Sequence, residues 1–330
     1  MNILSFFQYA RLLPRVATAA LLAGSMTCAI AQSSIKPLTI VVGYAAGGST
    51  DYLARVMAEK LAAPLGRPVI VDNKPGAGGR LAASQVKNMP ADGSVVMLTV
   101  SPLVVQAIVN AKTTNFDLIT DFVPIANMVS TPLAVVVPST SPIKNIRDLI
   151  EYGKTHKKDF GYGTSGAGGL GHLSAERLGK AANLEWVHVP YKGGALLSND
   201  LLGGHLQVGV DALGDFMEFH RAGKIRVLAT FSSERSSLAP ELPTLVEQRI
   251  TGVNTELWFG LVAPAKTPNE VVLQIQNAVA KVLEDPEVVS RLSKLVARID
   301  YVPSAQFGQR IKQEFEVWRP VVRDVGVAIN

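Results

Sequence analysis

Residues Thr39 to Leu65 read TIVVGYAAGGSTDYLARVMAEKLAAPL. The β-branched run closed by Gly43 predicts a buried strand over 39–43, a glycine loop over 44–49 and a helix over 50–62. Leu53, Val56, Met57 and Leu61 recur at the three-to-four-residue spacing of one helical face, and Ser49 or Thr50 stands where an N-cap belongs. The first turn of a helix leaves backbone N–H groups unpaired and carries the positive end of the peptide dipoles. Gly47 and Gly48 have no Cβ to hold a small anion away from that backbone. The stretch is therefore suited to an anion at a helix N-terminus, and equally to a glycine turn with no ligand at all.

The same strand–loop–helix unit recurs outward from it. Pro68–Asp72 is a second strand, followed by the glycine loop of residues 73–79 and a short helix over 80–87; Val95–Val100 is a third strand. This alternation predicts a parallel α/β sheet, with both glycine loops and Ser101 at the carboxyl edge where such sheets bind ligands. Residues 117–127 read as irregular, and Pro132–Pro138 as a strand bounded by two prolines that crosses into a second domain. There, strands over 159–164, 186–189, 206–210 and 225–230 alternate with helices over 172–182, 196–202 and 216–221, and residues 165–171 form a third glycine loop. Trp258–Val262 reads as the strand returning to the first domain. Three helices follow: one with Pro268 at its first position and the stripe Val272, Ile275, Val279, Val282 and Leu283, one over 286–295, and one from Ser304 carrying Phe307, Ile311, Phe315 and Trp318. The expected division is 1–31 as a leader, 32–132 plus 254–330 as domain 1, and 133–253 as domain 2.

The chain has 330 residues, 48% hydrophobic and 18% charged, a globular composition with material for two cores. Its formal charge of +5 is not concentrated in a run, and no Lys/Arg stripe interleaved with aromatics points to nucleic acid. Arg11 and Arg15, the small and apolar residues 16–30, and Ala29-Ile30-Ala31 fit an export signal with cleavage before Gln32, hence a periplasmic protein. Cys28, the single cysteine, falls within that leader behind a poor lipobox, so no disulfide or thiol chemistry is expected of the mature chain.

Enzyme motifs are incomplete. Gly166, Gly168 and Gly171 match a dinucleotide fingerprint, but in a segment with six glycines in eleven residues and no ribose-binding acid placed after the next strand. Ser165 lacks the G-x-S-x-G elbow that a hydrolase reading with His172 requires. The five histidines are scattered without ligand spacing, and there is no phosphate-binding G-x-x-x-x-G-K-[ST]. No metal, no cofactor and no catalytic residue is expected. What remains is three glycine loops, two in one domain and one in the other, whose backbone donors suit a carboxylate clamped between opposed helix N-termini.

The ordered series YAAGGSTD (44–51), VDNKPGAGG (71–79), GYGTSGAGGLGHL (161–173), VPYKGG (189–194), LLGGHLQ (201–207) and WFGLVAPAKTP (258–268) closely resembles the Bug-type extracytoplasmic solute receptors of tripartite tricarboxylate transporters. The resemblance spans essentially the whole mature chain. It implies a class II periplasmic binding protein fold, two α/β domains joined by crossover strands with the ligand cleft between them, and no enzyme activity. It also implies a monomer that closes on a small organic carboxylate and delivers it to the membrane permease subunits of a tripartite tricarboxylate transporter; presentation to a sensor is the alternative, and a secreted hydrolase using Ser165 a third. It carries ligand contact to Tyr44, Ala46, Gly47, Gly48, Ser49, Asp51, Thr164, Ser165 and Gly168. Asn73 matches the mouth of the second loop, His172 and Lys192 match positions that line or support the cleft, and Ser101 joins them from the end of the third strand. Asp51 suits a ligand ammonium or a cap on its own helix. Two segments depart from the family pattern: Ser101–Gln106 is more apolar, and residues 195–200 lack the usual Pro. Leu103, Val104 and Val105 suggest an apolar or aromatic monocarboxylate.

Overall fold

The computed structural model describes residues 36–156 and 160–325. The expected leader, Cys28 and the cleavage point before Gln32 lie outside the described residues.

β1 (Leu38–Val42) pairs in parallel with β2 (Val69–Asn73) on one side and β3 (Val95–Val100) on the other. α1 (Ser49–Leu65) follows β1 and buries Leu53, Val56, Met57 and Leu61 against the sheet, as their spacing predicts. The helix begins one residue earlier than expected: Gly48, not Ser49 or Thr50, is the N-cap, and it offers no side chain to the first turn. α2 (Arg80–Val86) follows the second glycine loop. Directly after β3 comes α3 (Ser101–Val109), which buries Leu103, Val104 and Val105 in the core. Those three side chains therefore do not line a cleft, and the apolar-ligand expectation built on them loses its basis.

β4 (Phe122–Pro138) is one strand of 17 residues. The reading of 117–127 as irregular is corrected from Phe122 onward: register shifts at Pro124/Ala126 and Asn127/Val129 absorb the missing proline donor and blur the alternation that marks a strand. Pro132 does not begin a new strand. It is the last residue to pair with β9 (Glu256–Pro264), and Leu133 is the first to pair with β7 (Val208–Ala212), so a proline that cannot donate stands where the strand changes partners. The first part of β4 also pairs with β10 (Arg298–Pro303), and the second part with β8 (Ile225–Thr230). A second parallel set, β5 (Gly161–Thr164) with β6 (Val187–Pro190) and β7, completes the other α/β half. Its helices are α4 (Ile146–Thr155), α5 (Leu170–Ala182), α6 (Gly194–Leu202) and α7 (Met217–Arg221).

The chain returns through β9 to α8 (Asn269–Leu283), α9 (Pro286–Ser293) and α10 (Ser304–Val325). Pro268 is the N-cap of α8, not its first helical residue as expected. Both expected stripes, on α8 and on α10, are buried. Gly260 in β9 lies beneath the ring of Phe307, where a Cβ would meet Cζ at 2.4 Å. Among the described residues no helix is long and apolar enough to cross a membrane.

Candidate functional site

The carboxyl ends of β1 and β5 bring the first and third glycine loops to one place. Ala45 N–H donates to the Lys192 carbonyl at 3.0 Å. Gly78, in the second loop, faces Gly166 so closely that a Cβ on Gly166 would lie 3.1 Å from the Gly78 Cα. Gln106 of α3 reaches across and donates from Nε2 to the Ala167 carbonyl. Gly78 has φ of +62°, and a Cβ there would stand 2.2 Å from that Nε2, so the glycine makes room for Gln106.

Asp51 is occupied within its own half. Its Oδ2 accepts from the Gly47 N–H at 3.0 Å and from Arg55 Nε at 2.9 Å, and its Oδ1 accepts from Asn73 Nδ2 at 3.0 Å. Burial works to raise its pKa, but these donors and the Arg55 charge outweigh burial and hold it below the ordinary carboxylate value. Asp51 thus braces the loop that leads into its own helix, through the Gly47 N–H. Asn73 also donates to the Tyr44 carbonyl at 3.1 Å, and the Tyr44 hydroxyl donates to the Gly78 carbonyl at 3.3 Å, so the first two loops are tied together.

The third loop rests on a pair of stacked histidines. The Gly168 N–H donates to His172 Nδ1 at 2.9 Å, so the ring proton of His172 sits on Nε2. The ring of His172 stacks on His188 at 3.7 Å. Thr164 Oγ1 donates to the Gly166 carbonyl at 3.1 Å and takes a hydrogen bond from His188 Nε2 at 2.8 Å. Burial lowers the pKa of His172 to about 4; burial, then the neighbouring His172, lowers that of His188 to about 3. Both rings are neutral supports of the loop.

Two acids that the sequence reading did not single out complete the site. Asp211, buried at the end of β7, accepts from the Ser165 N–H and, at 2.8 Å, from the Ala212 N–H. Asp215 Oδ1 accepts from the Ser49 N–H at the start of α1. Gly194 makes space for it, since a Cβ there would lie 2.0 Å from Asp215 Oδ2. Burial raises the pKa of Asp211, against the pull of the Ser165 and Ala212 donors. Burial, then repulsion from Asp211, raises that of Asp215 to about 7. Burial and the Asp211 charge keep the Tyr44 phenol protonated.

Between the loops lies a cavity of about 20 Å³ with Tyr44, Ser49, Thr50, Ser165, Asp211 and Asp215 as its polar lining and Val100, Pro102, Leu257 and Phe259 as its apolar wall. That is room for about one water molecule. An outer groove of about 480 Å³ meets it at Ser49 and Asp215. A larger groove of about 570 Å³, by Ser130 and Ser233, lies away from the glycine loops.

Of the expected contacts, Tyr44, Ser49 and Ser165 line the small cavity and Gly47, Gly48 and Ser49 the outer groove, whereas Asp51, Asn73, Thr164, Gly168 and His172 line neither and hold the loops through the hydrogen bonds above, and Ala46 is exposed. Lys192 has an exposed side chain and meets the opposite loop through its carbonyl. The buried Ser101 hydroxyl accepts from the Trp258 N–H at 3.2 Å and serves the core. Among the described residues no cluster suits a metal. Asp211 carried a usable signal, an acid directly after the expected strand over 206–210 and within the last two residues of β7; Asp215 and Gln106 sit in segments whose pattern says nothing of where they point.

The chain is similar to known proteins over most of its length. A protein from Cupriavidus necator described as a "UPF0065 protein in gbd 5'region" is 34% identical over 293 residues, 89% of this chain and 88% of that protein. The structures of the periplasmic binding protein BugD and of Rhodopseudomonas palustris Rpa4515 with adipate each superpose with a TM-score of 0.85 at 31% identity, covering 88% of this chain and 98% of theirs. The family profile described as "Tripartite tricarboxylate transporter family receptor" matches residues 53–327. With its two α/β halves and crossover strand, the chain belongs to the tripartite tricarboxylate transporter family receptors and is a solute-binding receptor of the Bug type.

Proposed function

We propose that this receptor captures a small organic carboxylate in the periplasm by domain closure and delivers it to the membrane subunits of a tripartite tricarboxylate transporter. The observation that carries the reading is the meeting of glycine loops across the cleft: Ala45 on Lys192, Gly78 on Gly166, Gln106 on Ala167. Such contacts form only when the halves approach, which is what couples a bound solute to the closed form. The adipate in a structural neighbour supports a carboxylate as the solute class. The proposed domains are 32–132 plus 254–330 and 133–253, which agrees with the change of partner at Pro132/Leu133. Tyr44, Ala46, Gly47, Gly48, Ser49, Thr164, Ser165 and Gly168 are the proposed solute contacts, with Asp51, Asn73 and His172 bracing them. The protein acts as a monomer and catalyses no reaction.

The test is a thermal-shift screen of protein stripped of carried-over solute. Saturation at 100 times the dissociation constant adds about 2.7 kcal/mol, which at about 2–4 °C per kcal/mol is a shift of several degrees. A shift with a carboxylate and none with its amide is expected. No shift across mono-, di- and tricarboxylates and amino acids would remove the reading. Mass spectrometry of the exported protein should find Gln32 as the first residue.

A further inference from the structure

We propose that the last turns of α10, from Trp318 to Val325, are a strap that docks on α5 of the opposite half and lets go when the halves part, so that it sets the balance between open and closed receptor. The proposal rests on the closure reading above and adds a third crossing to the two made by the chain itself. α10 is held to the first half by Phe307, Ile311 and Phe315, which share a core with Val41, Leu103 and Trp258. Trp318 belongs to a different cluster, one that also holds Leu173 and Leu178 of α5. The guanidinium of Arg177 on α5 lies over the Trp318 ring, 5.8 Å from its centroid, a cation–π distance. Lys180 Nζ donates to the Asp324 carbonyl at 2.5 Å. That carbonyl is among the last of α10, which no further turn of the helix can satisfy, and a cation is favoured there.

The end of α10 is also built to yield. Pro320 stands inside the helix and has no N–H for the Glu316 carbonyl, so the ladder is interrupted where the helix leaves its buried stripe. Val321 and Val322 beyond it are only partly buried against the core, and Lys180 and Asp324 are exposed. Arg177 is fixed on its own side by a hydrogen bond to the Gly252 carbonyl. One partner in each contact thus moves with α5 and the other with α10. A rotation about β4 and β9 that opens the cleft carries α5 away from Trp318 and Asp324, and the contacts are lost. They therefore weigh on the closed side of the balance.

The experiment measures opening without any solute. The chain from Gln32 onward has no cysteine, so nitroxides at Leu81→Cys and Leu196→Cys, exposed positions on the two halves, report their separation by pulsed electron resonance. Protein with the strap intact is compared with a variant carrying Arg177→Gln and Lys180→Gln, and with a chain ending at Arg319. In both, the share of molecules at the longer separations should at least double, and the radius of gyration should rise. An unchanged distribution in both would overturn the strap even if the melting temperature fell, because a contact that only stabilises the fold moves the melting temperature alone. Widening in the shortened chain but not in the double variant would overturn the part given to Arg177 and Lys180. Should the shortened chain not fold, the double variant decides. A failed carboxylate screen would leave this result standing, and a failed strap would leave the carboxylate reading standing.

Discussion

Ser49 and Asp215 are 166 residues apart in sequence, yet the backbone N–H at the start of α1 donates to the Asp215 carboxylate from the opposite half. An acid of the protein thus stands where a helix N-terminus attracts negative charge, and it helps to hold the two halves together.

That position makes stability depend on pH in a defined direction. Asp215 titrates near 7 in the folded protein, raised by burial and by Asp211, against an ordinary value of 3.8. The folded state therefore binds a proton between pH 4 and 7 that the unfolded chain does not, and the penalty for keeping Asp215 charged is relieved as pH falls through 7. The neutral amide of an Asp215→Asn variant carries no such penalty. The melting temperature of wild type minus that of Asp215→Asn should rise from pH 8 to pH 5; a difference that stays flat would contradict the assignment.

The histidine pair contributes with the opposite sign. His172 and His188 titrate near 4 and 3 when folded, lowered by burial, against an ordinary 6.5. As pH falls below 6.5 the unfolded chain takes up protons that the native rings refuse, so stability is lost. The loss at pH 5 is about 2 kcal/mol per ring. The denaturant midpoint of wild type minus that of a His172→Gln, His188→Gln variant, in which the acids are unchanged, should fall from pH 7 to 5. Nitrogen-15 spectra should show both rings neutral at pH 5, with the proton on Nε2 in each.

Gln106 bridges the halves, and Gln106→Met keeps the bulk while removing the donor to Ala167. A net hydrogen bond is worth about 1 kcal/mol, so solute affinity should weaken about fivefold. Solution scattering should show a larger radius of gyration in the solute-free variant. Unchanged affinity in a folded variant would mean that the bridge does not bias closure.

Gly78→Ala should act on the same contact from the other side. Its φ of +62° disfavours a side chain, and the new Cβ would lie 2.2 Å from Gln106 Nε2. Because both changes break one bridge, the double variant should lose less affinity than the two single losses combined. Full additivity, measured by titration, would show that the glycine acts elsewhere.

Gly260→Ala tests the packing of β9 on α10. The added methyl meets Phe307 Cζ at 2.4 Å, and overpacking of this kind costs about 1–3 kcal/mol. Urea denaturation should report that loss, and Phe307→Leu in the same chain should recover part of it.

The strand–loop–helix units were legible because short apolar runs, glycines and helical stripes each carry a local signal, and Leu53, Val56, Met57 and Leu61 are buried as their spacing predicts. The extent of β4 was not, because Pro124 and Pro132 imitate strand ends and only the partner strands show that pairing continues past them. α3 and β10 were missed for related reasons: Leu103 to Val105 form an unbroken apolar run without helical spacing, and Arg298–Pro303 gains its form from pairing with β4. At the cleft, the glycine loops announced themselves by composition. Asp215 and Gln106 did not, since their importance lies in what they meet across a gap that the linear order of residues does not encode.

The seventeen residues of β4 belong to two ladders at once, β9 and β10 before Pro132 and β7 and β8 after it. Neither ladder can come apart without stripping a partner from the other, so the molecule lacks a seam along which one half could melt while the other survives. The strand that allows the halves to move also makes their unfolding a common event, and a calorimetric scan should trace a single cooperative peak.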